Sequence, residues 1–467
     1  MRYSSDPKIN KSLRHSIGDG AAYAFMAGSG ETYFSAFAIF LKATTTQIGF
    51  LASVPPLVAS FAQLLSAWLG HRTGQRKRII LVGASLQALI WCPMALLPFF
   101  FREHAIEWFI GCVTLYYAFG NLAAPQWSSL MGELVAERKR GRFFARRTRI
   151  SSVTSFIALV LAGVVLNNFA QSDTTQLGFL LIFSVAFIAR LVSVYHLLQM
   201  YDPPGHVASM EVPIQASLWH RLLHSRFARF SLYFTAMQLS VAIASPFFSV
   251  YLLRDLHFSY IEFMACSAIM VVIQFLTLTR WGRISDIFGN RIILIVCGSL
   301  IPLLPLLWLF SANFYYLLMI QSFSGFIWAG FTLSSSNYLY DLLPSDKRST
   351  FMAVHNVAAS IGIFLGALLG GYLGSVLPAQ FSIGSLQIDW LSPLYHIFII
   401  SFVLRAVTAM VFLPKIREAR KVKPTTLRRL IFRVVRFNPL TGLIFDVVGS
   451  RKKQTINADN TQSHTPP

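Results

Sequence analysis

"WGRISDIFGNR", Trp281 to Arg291, interrupts a chain that is otherwise close to pure hydrocarbon: residues 263–278 precede it and residues 292–310 follow it with hardly a polar side chain. The flanking runs decide the fold. About 20 apolar residues rising 1.5 Å each cross the ~30 Å hydrocarbon core of a bilayer. Such runs recur along the 467 residues, at 17–41, 47–69, 78–100, 106–130, 150–170, 177–200, 228–253, 259–280, 291–311, 313–340, 350–377 and 393–414. A composition of 55% hydrophobic and 13% charged residues excludes an ordinary soluble protein. The dyad alternation of an outer-membrane barrel is missing. The expectation is an all-α membrane protein of twelve transmembrane helices, integral and multi-pass.

The net charge of +21 would suit a nucleic-acid binder, but its placement argues against that. Only Lys42, Arg102 and Arg254 fall in loops on one side, and Arg190 and Arg405 lie inside spans; the other 35 of the 40 Lys and Arg occupy the two termini and alternate loops. This is the positive-inside pattern, so both termini are expected in the cytoplasm, with a basic face attracted to anionic lipid and no nucleic-acid partner. The basic start is followed by no cleavage site, so span 1 reads as an uncleaved anchor. Cys92, Cys112, Cys266 and Cys297 all fall inside spans as apolar packers, and no metal or cofactor spacing is present.

Working outward, "AWLGHRTGQRK" (Ala67 to Lys77) repeats the outline of the first stretch without its acid. An offset of 215 pairs Ala67 with Gly282, His71 with Asp286, Gly74 with Gly289 and Arg76 with Arg291. "ELVAERKRGRFFA" (Glu133 to Ala145) lies over "DLLPSDKRSTFMA" (Asp341 to Ala353) at an offset of 208, and Arg190 lies over Arg405 at 215. Six helices are therefore duplicated in tandem. An even number per copy keeps both copies in the same orientation, as parallel repeats about an axis along the membrane normal. The expected organisation is a half over 1–200, a linker over 201–227, a second half over 228–415 and a basic tail over 416–467.

In this context Gly282, Asp286, Gly289 and Arg291 complete the pattern Gly-x-x-x-Asp-x-x-Gly-x-Arg between spans 8 and 9, and over residues 15–415 the chain resembles a permease of the major facilitator superfamily. The region Ala124 to Arg149 further resembles a bacterial branch of that family, which implies a bacterial inner membrane. The resemblance implies alternating access, with spans 1, 4, 7 and 10 lining a cavity. It also implies a cytoplasmic clasp in which Asp286 meets a helix start of the opposite half, closing in the outward-facing state and breaking in the inward-facing one. Gly282 is expected to admit a neighbouring backbone, and Gly289 to turn at positive φ. Gly74 and Arg76 form the second, weaker latch, because His71 stands in place of the acid. Glu133 with Arg140, and Asp341 with Arg348, are expected to join the same ionic layer.

Glu31, in "AGSGETYFSAF", lies well inside span 1, where an ionised carboxylate costs at least ~2.5 kcal/mol unless partnered or hydrated. Intramembrane carboxylates mark substrate or proton pathways by default. The repeat gives Ser245 opposite it, so the acid belongs to one half only. Tyr117, Asn121, Gln126 and Trp127 of span 4, Gln238 of span 7, and Trp328 and Asn337 of span 10 are further candidates for the pathway, suiting a neutral or amphipathic organic solute. Arg190 and Arg405 read as structural, Asp19 as an interfacial cap, and His355 and Asn356 as gating or packing residues. Gly362, Gly366, Gly370 and Gly374, four apart in span 11, line one face that can pack on another backbone. In "LRRLIFRVVRF" (Leu427 to Phe437) the arginines gather opposite the apolar residues, as in a helix lying on the membrane surface.

No Gly-x-x-x-x-Gly-Lys-[Ser/Thr] and no His-Glu-x-x-His occurs, so neither a nucleotide-driven pump nor a metal-dependent enzyme is expected. The expected function is a monomeric secondary active transporter of a small organic solute, with proton coupling through Glu31; a transporter-like receptor or scaffold without flux is the alternative.

Overall fold

The computed structural model describes residues 6–101, 103–203, 225–343, 348–378, 380–383, 386–389 and 392–418. These form twelve helical segments. They are α1 (residues 7–40), α2 (Thr45–Thr73), α3 (Arg76–Phe100), α4 (Ala105–Leu134), α5 (Glu137–Gln171), α6 (Thr175–Leu198), α7 (Arg226–Asp255), α8 (Tyr260–Phe288), α9 (Asn290–Leu307), α10 (Phe314–Leu342), α11 (Arg348–Val376) and α12 (Leu394–Lys415). A two-stranded antiparallel hairpin, β1 (Gln380–Ile383) with β2 (Leu386–Asp389), joins α11 to α12 and pairs Gln380 with Asp389. Most of the 201–227 linker and all of 427–437 lie outside the described residues.

Ten segments are long and apolar enough to cross a membrane; α1 and α4 are not among them. Their length suffices, but α1 begins with Lys8, Lys11, Arg14 and Asp19, and α4 carries Tyr116, Tyr117, Asn121 and Gln126. The helix starts at Pro7, capped by Asp6, rather than near Ile17.

The duplication shows in how helices begin and end. At the start of α2 the Thr44 hydroxyl takes the Gln47 N–H while Gln47 returns to the Thr44 N–H; at the start of α8, Ser259 and Glu262 do the same, 215 residues on. Both helices end in a glycine at positive φ, Gly74 at 64° and Gly289 at 84°. That conformation is open to glycine at little cost and opposed by a Cβ.

Packing repeats as well. Within the first half α1 packs on α5 and α6, α2 on α4, and α3 on α4; within the second α7 packs on α11 and α12, α8 on α10, and α9 on α10. Between the halves α2 meets α11 and α5 meets α8, a pair of pairs related by the same repeat. The glycine face of α11 docks on α7 as expected: Cβ atoms at Gly362, Gly366 and Gly370 would run into the carbonyls of Thr235, Leu239 and Ile243.

The bundle has a basic end, which carries both described termini, and an opposite end. One apolar core spans both halves at the opposite end, bringing Phe34, Phe37 and Phe183 together with Phe247, Trp308 and Phe398. Toward the basic end the core divides. Leu13, Ile80 and Phe143 pack in the first half, and Phe230, Trp281 and Ile293 pack separately in the second.

Candidate substrate cavity and charge layer

A cavity of about 560 Å³ lies between the halves, lined from both. Glu31 enters it because α1 changes character there. The α-helix ends at Ser29, and Glu31–Tyr33 form a turn of 3-10 helix before the α-helix resumes at Phe34. Gly30 sits under Trp91, where a Cβ would collide with the indole. In the second half α7 is interrupted by a turn over 243–246, just before Phe247. The break in α1 is thus repeated in α7, but Pro246, which the offset of 215 places opposite Glu31 in correction of Ser245, lines the cavity from it instead of an acid.

Two tyrosines hold the Glu31 carboxyl. Tyr117 donates its hydroxyl to Oε1 at 2.8 Å and Tyr116 donates to Oε2 at 2.9 Å. Tyr116 is fully buried, edge-on to Phe34 and Trp91, so its position is set by packing. Among the described residues no Lys, Arg or His forms an ion pair with Glu31. Asn121 lies one turn beyond Tyr117 on the cavity wall, donating to the Tyr117 carbonyl at 3.0 Å. Thus Glu31, Tyr117 and Asn121 come together, with Asn356 facing them from α11.

Five of the expected pathway residues are elsewhere. Gln126 is buried against α2, donating to the Ser66 carbonyl at 2.7 Å. Trp127 lies under the Arg147 guanidinium, 4.2 Å from its carbon. Gln238, Trp328 and Asn337 are only partly buried but are not among the cavity's lining residues; Trp328 packs edge-on to Phe331. Gln126 and Trp127 have residue types suited to a binding site, but helix rotation, which the type does not carry, turns them to partners within the first half. His355 and its neighbour Asn356 separate likewise: His355 is buried against α7, with Nδ1 2.8 Å from the Ser231 hydroxyl.

Asp19 is no interfacial cap. It is buried, pairs with Arg147 at 3.1 Å, and accepts from Ser193, whose hydroxyl also takes Arg190 at 2.7 Å. Arg405, the repeat partner of Arg190, is equally buried but has no carboxylate partner among the described residues; its nitrogens donate to the carbonyls of Ile301 at 3.3 Å and Val241 at 3.2 Å. Pro305 has no N–H to offer the Ile301 carbonyl, which accepts instead from the Leu304 N–H and the guanidinium.

At the basic end the charges staple each half internally. Buried Arg76 pairs with Glu133 at 2.5 Å and Asp202 at 2.8 Å. In the second half Asn290 donates to Asp341 at 2.9 Å, while Arg291 gives its backbone N–H to Glu418 at 2.9 Å and its Nε to the Ile416 carbonyl at 2.7 Å. Glu133 pairs with Arg76, and Arg140 donates to the carbonyls of Val135 and Gly132. The side chain of Arg348 lies outside the described residues. Asp202 and Glu418 escaped the sequence reading, although their spacing of 216 is the repeat offset plus one. Asp286 and His71 are exposed. No backbone approaches Gly282, where a Cβ would meet only Leu333 Cδ2 at 3.9 Å.

The contacts that join the halves sit toward the opposite end. Gly49 packs on Gly371 and the Ala367 carbonyl, Arg254 donates to Thr45 at 3.2 Å, and Tyr33 meets Phe263 with ring centres 6.3 Å apart.

The sequence profile of the Major Facilitator Superfamily matches residues 20–241 and again 230–450, once for each half. The chain belongs to this superfamily. Among solved members of similar fold, a mutant of the nucleoside transporter NupG superposes with a TM-score of 0.66 at 14% identity, covering 87% of this chain and 100% of the other. The D-xylose–proton symporter gives 0.66 at 15%, covering 89% and 99%. A bacterial homolog of the human lysosomal transporter Spinster, inward-facing and occupied, gives 0.66 at 12%, covering 88% and 97%. An uncharacterized transporter of Schizosaccharomyces pombe is 31% identical over 96 residues, 21% of this superfamily member and 17% of the yeast protein, so the match spans less than a fifth of that relative.

Proposed function

We propose that the protein is a secondary active transporter that moves a small organic solute by alternating access, with Glu31 carrying the coupling proton. The observation that carries this reading is a solute-sized cavity between duplicated halves that holds a carboxyl without a described cationic partner. Its volume falls in the range of small-molecule sites. Phe34, Tyr117 and Pro246 give it apolar surface, and Asn121, Gln63 and Ser360 give it neutral hydrogen-bonding groups. These suit a neutral or amphipathic cargo.

The undivided core at the opposite end and the divided core at the basic end support a rocking motion about the opposite end. The basic loops support a cytoplasmic position for both termini, and with that orientation this conformation corresponds to the inward-open one. In it Asp286, the clasp residue, points to solvent and each half keeps its own ionic staple. Glu31 couples protonation to this geometry through its two tyrosines. The ionised carboxylate accepts from both; the protonated one carries a hydrogen on one oxygen and must turn it away from a tyrosyl donor. A cargo that binds one of these arrangements more tightly shifts the proton with it.

The test begins with a thermal-shift screen of metabolites and drugs on the purified protein, since a ligand stabilises the state it binds. Stabilising compounds are then assayed for counterflow in proteoliposomes. Binding without flux for every such compound would replace transport by a receptor role.

A further inference from the structure

We propose that the basic end of the second half contains a binding site for a phosphate group, the chemistry shared by an anionic lipid headgroup and free phosphate. A second pocket of about 140 Å³ opens where the start of α7 meets the ends of α10 and α12. Four cations line it, Arg226 and Arg229 from α7 and Lys415 and Arg417 from the end of α12. All four are exposed, and none has a carboxylate partner among the described residues. The nearest acids are already engaged. Glu418 accepts the backbone N–H of Arg291, and Asp341 accepts from Asn290.

The rest of the wall is aromatic and fixed. Phe412 lies 5.9 Å beneath the Lys415 ammonium, and buried Tyr338 donates its hydroxyl to the Arg417 carbonyl at 2.7 Å, anchoring the strand that carries two of the cations. Ser225 caps the start of α7 through the Ala228 N–H, which fixes the first turn that carries Arg226 and Arg229. Arginine forks match phosphate oxygens.

Size and place favour a lipid as the source. The pocket is well below the ~300 Å³ at which small-molecule sites begin, so it takes a head group whose remainder lies outside. It sits at the end of the bundle, where basic pockets between helices meet anionic headgroups. The repeat supplies an internal control. Lys11 and Arg14 stand 215 residues before Arg226 and Arg229, but at the same offset Met200 and Asp202 take the places that Lys415 and Arg417 hold. The first half therefore has two of the four charges, and an acid besides.

Occupancy would also reach the loop between α8 and α9. Arg417 is one residue from Ile416, whose carbonyl holds Arg291, and one from Glu418, which lies against Gly289. A bound phosphate therefore braces the strand that secures the second-half staple.

The experiment uses the full chain in detergent, titrated with phosphatidylglycerol, phosphatidylcholine or inorganic phosphate and read by native mass spectrometry and thermal shift. Phosphatidylglycerol is expected to bind in preference to phosphatidylcholine. R229Q/R417Q should weaken it ten- to hundred-fold while K11Q/R14Q changes it little. If only inorganic phosphate binds, with the same loss in R229Q/R417Q, the site belongs to a soluble anion. Equal losses in the two double variants, or none in either, would overturn the proposal. R417Q alone, at an exposed position past the last helix, gives the same reading if the double variant folds poorly.

Discussion

The two halves are one scaffold with two chemistries. Capping boxes at Thr44 and Ser259, left-handed glycines at Gly74 and Gly289, and the breaks in α1 and α7 recur at the repeat spacing. The first half adds a carboxyl at its break and balances Arg190 through Ser193 and Asp19; the second has Pro246 at its break and leaves Arg405 to backbone oxygens. The difference teaches that duplication preserved what positions helices, while the groups that can move a proton or a charge collected in the first half.

The sharpest way to break this comparison is Glu31→Gln. It is expected to abolish pH-driven accumulation in proteoliposomes while counterflow exchange continues, because exchange needs the cavity but no net proton movement. Unchanged concentrative transport would remove Glu31 from coupling and with it the functional asymmetry of the halves.

Next in size come the two buried arginine sites. Asp19→Asn strips Arg147 and the Ser193–Arg190 pair of their only described carboxylate, and should cost about 3–5 kcal/mol, read as a large fall in melting temperature. Arg405→Met removes a cation that has no counter-ion to strand, and should lie within about 1.5 kcal/mol of the parent. Equal falls would show that the second half balances its arginine as firmly as the first.

The smallest effect on stability is expected from Asp286→Asn, since that side chain is exposed in this conformation. Its influence belongs to the state in which the basic end closes. Spin-label distances across the basic end should therefore shift toward the open population, and by more than in His71→Ala. The reverse order would make His71 the stronger latch.

Much of this was legible in the chain. The spans, the duplication, the turn at Gly289 and the docking face of α11 follow from hydrophobic length, spacing and backbone chemistry, which are local. Glu31 could be singled out because a carboxylate inside a span is costly wherever it points. Tyr117 was among the candidates, but the pairing of Glu31 with Tyr116 and Tyr117 could not be read, because both are neighbours among many aromatic residues and only the meeting of α4 with the break in α1 selects them. Gln126 and Trp127 failed for the same reason in reverse: equally polar or aromatic, they face α2 and Arg147.

The sequence by itself determined a twelve-helix membrane protein of two parallel halves, because apolar runs and repeated turns are properties of short segments. Tertiary structure alone decided which polar groups share the cavity, that Asp19 balances two arginines, and that the halves meet at one end. Those depend on helix rotation and on packing between residues 85 or more positions apart, which no local pattern records.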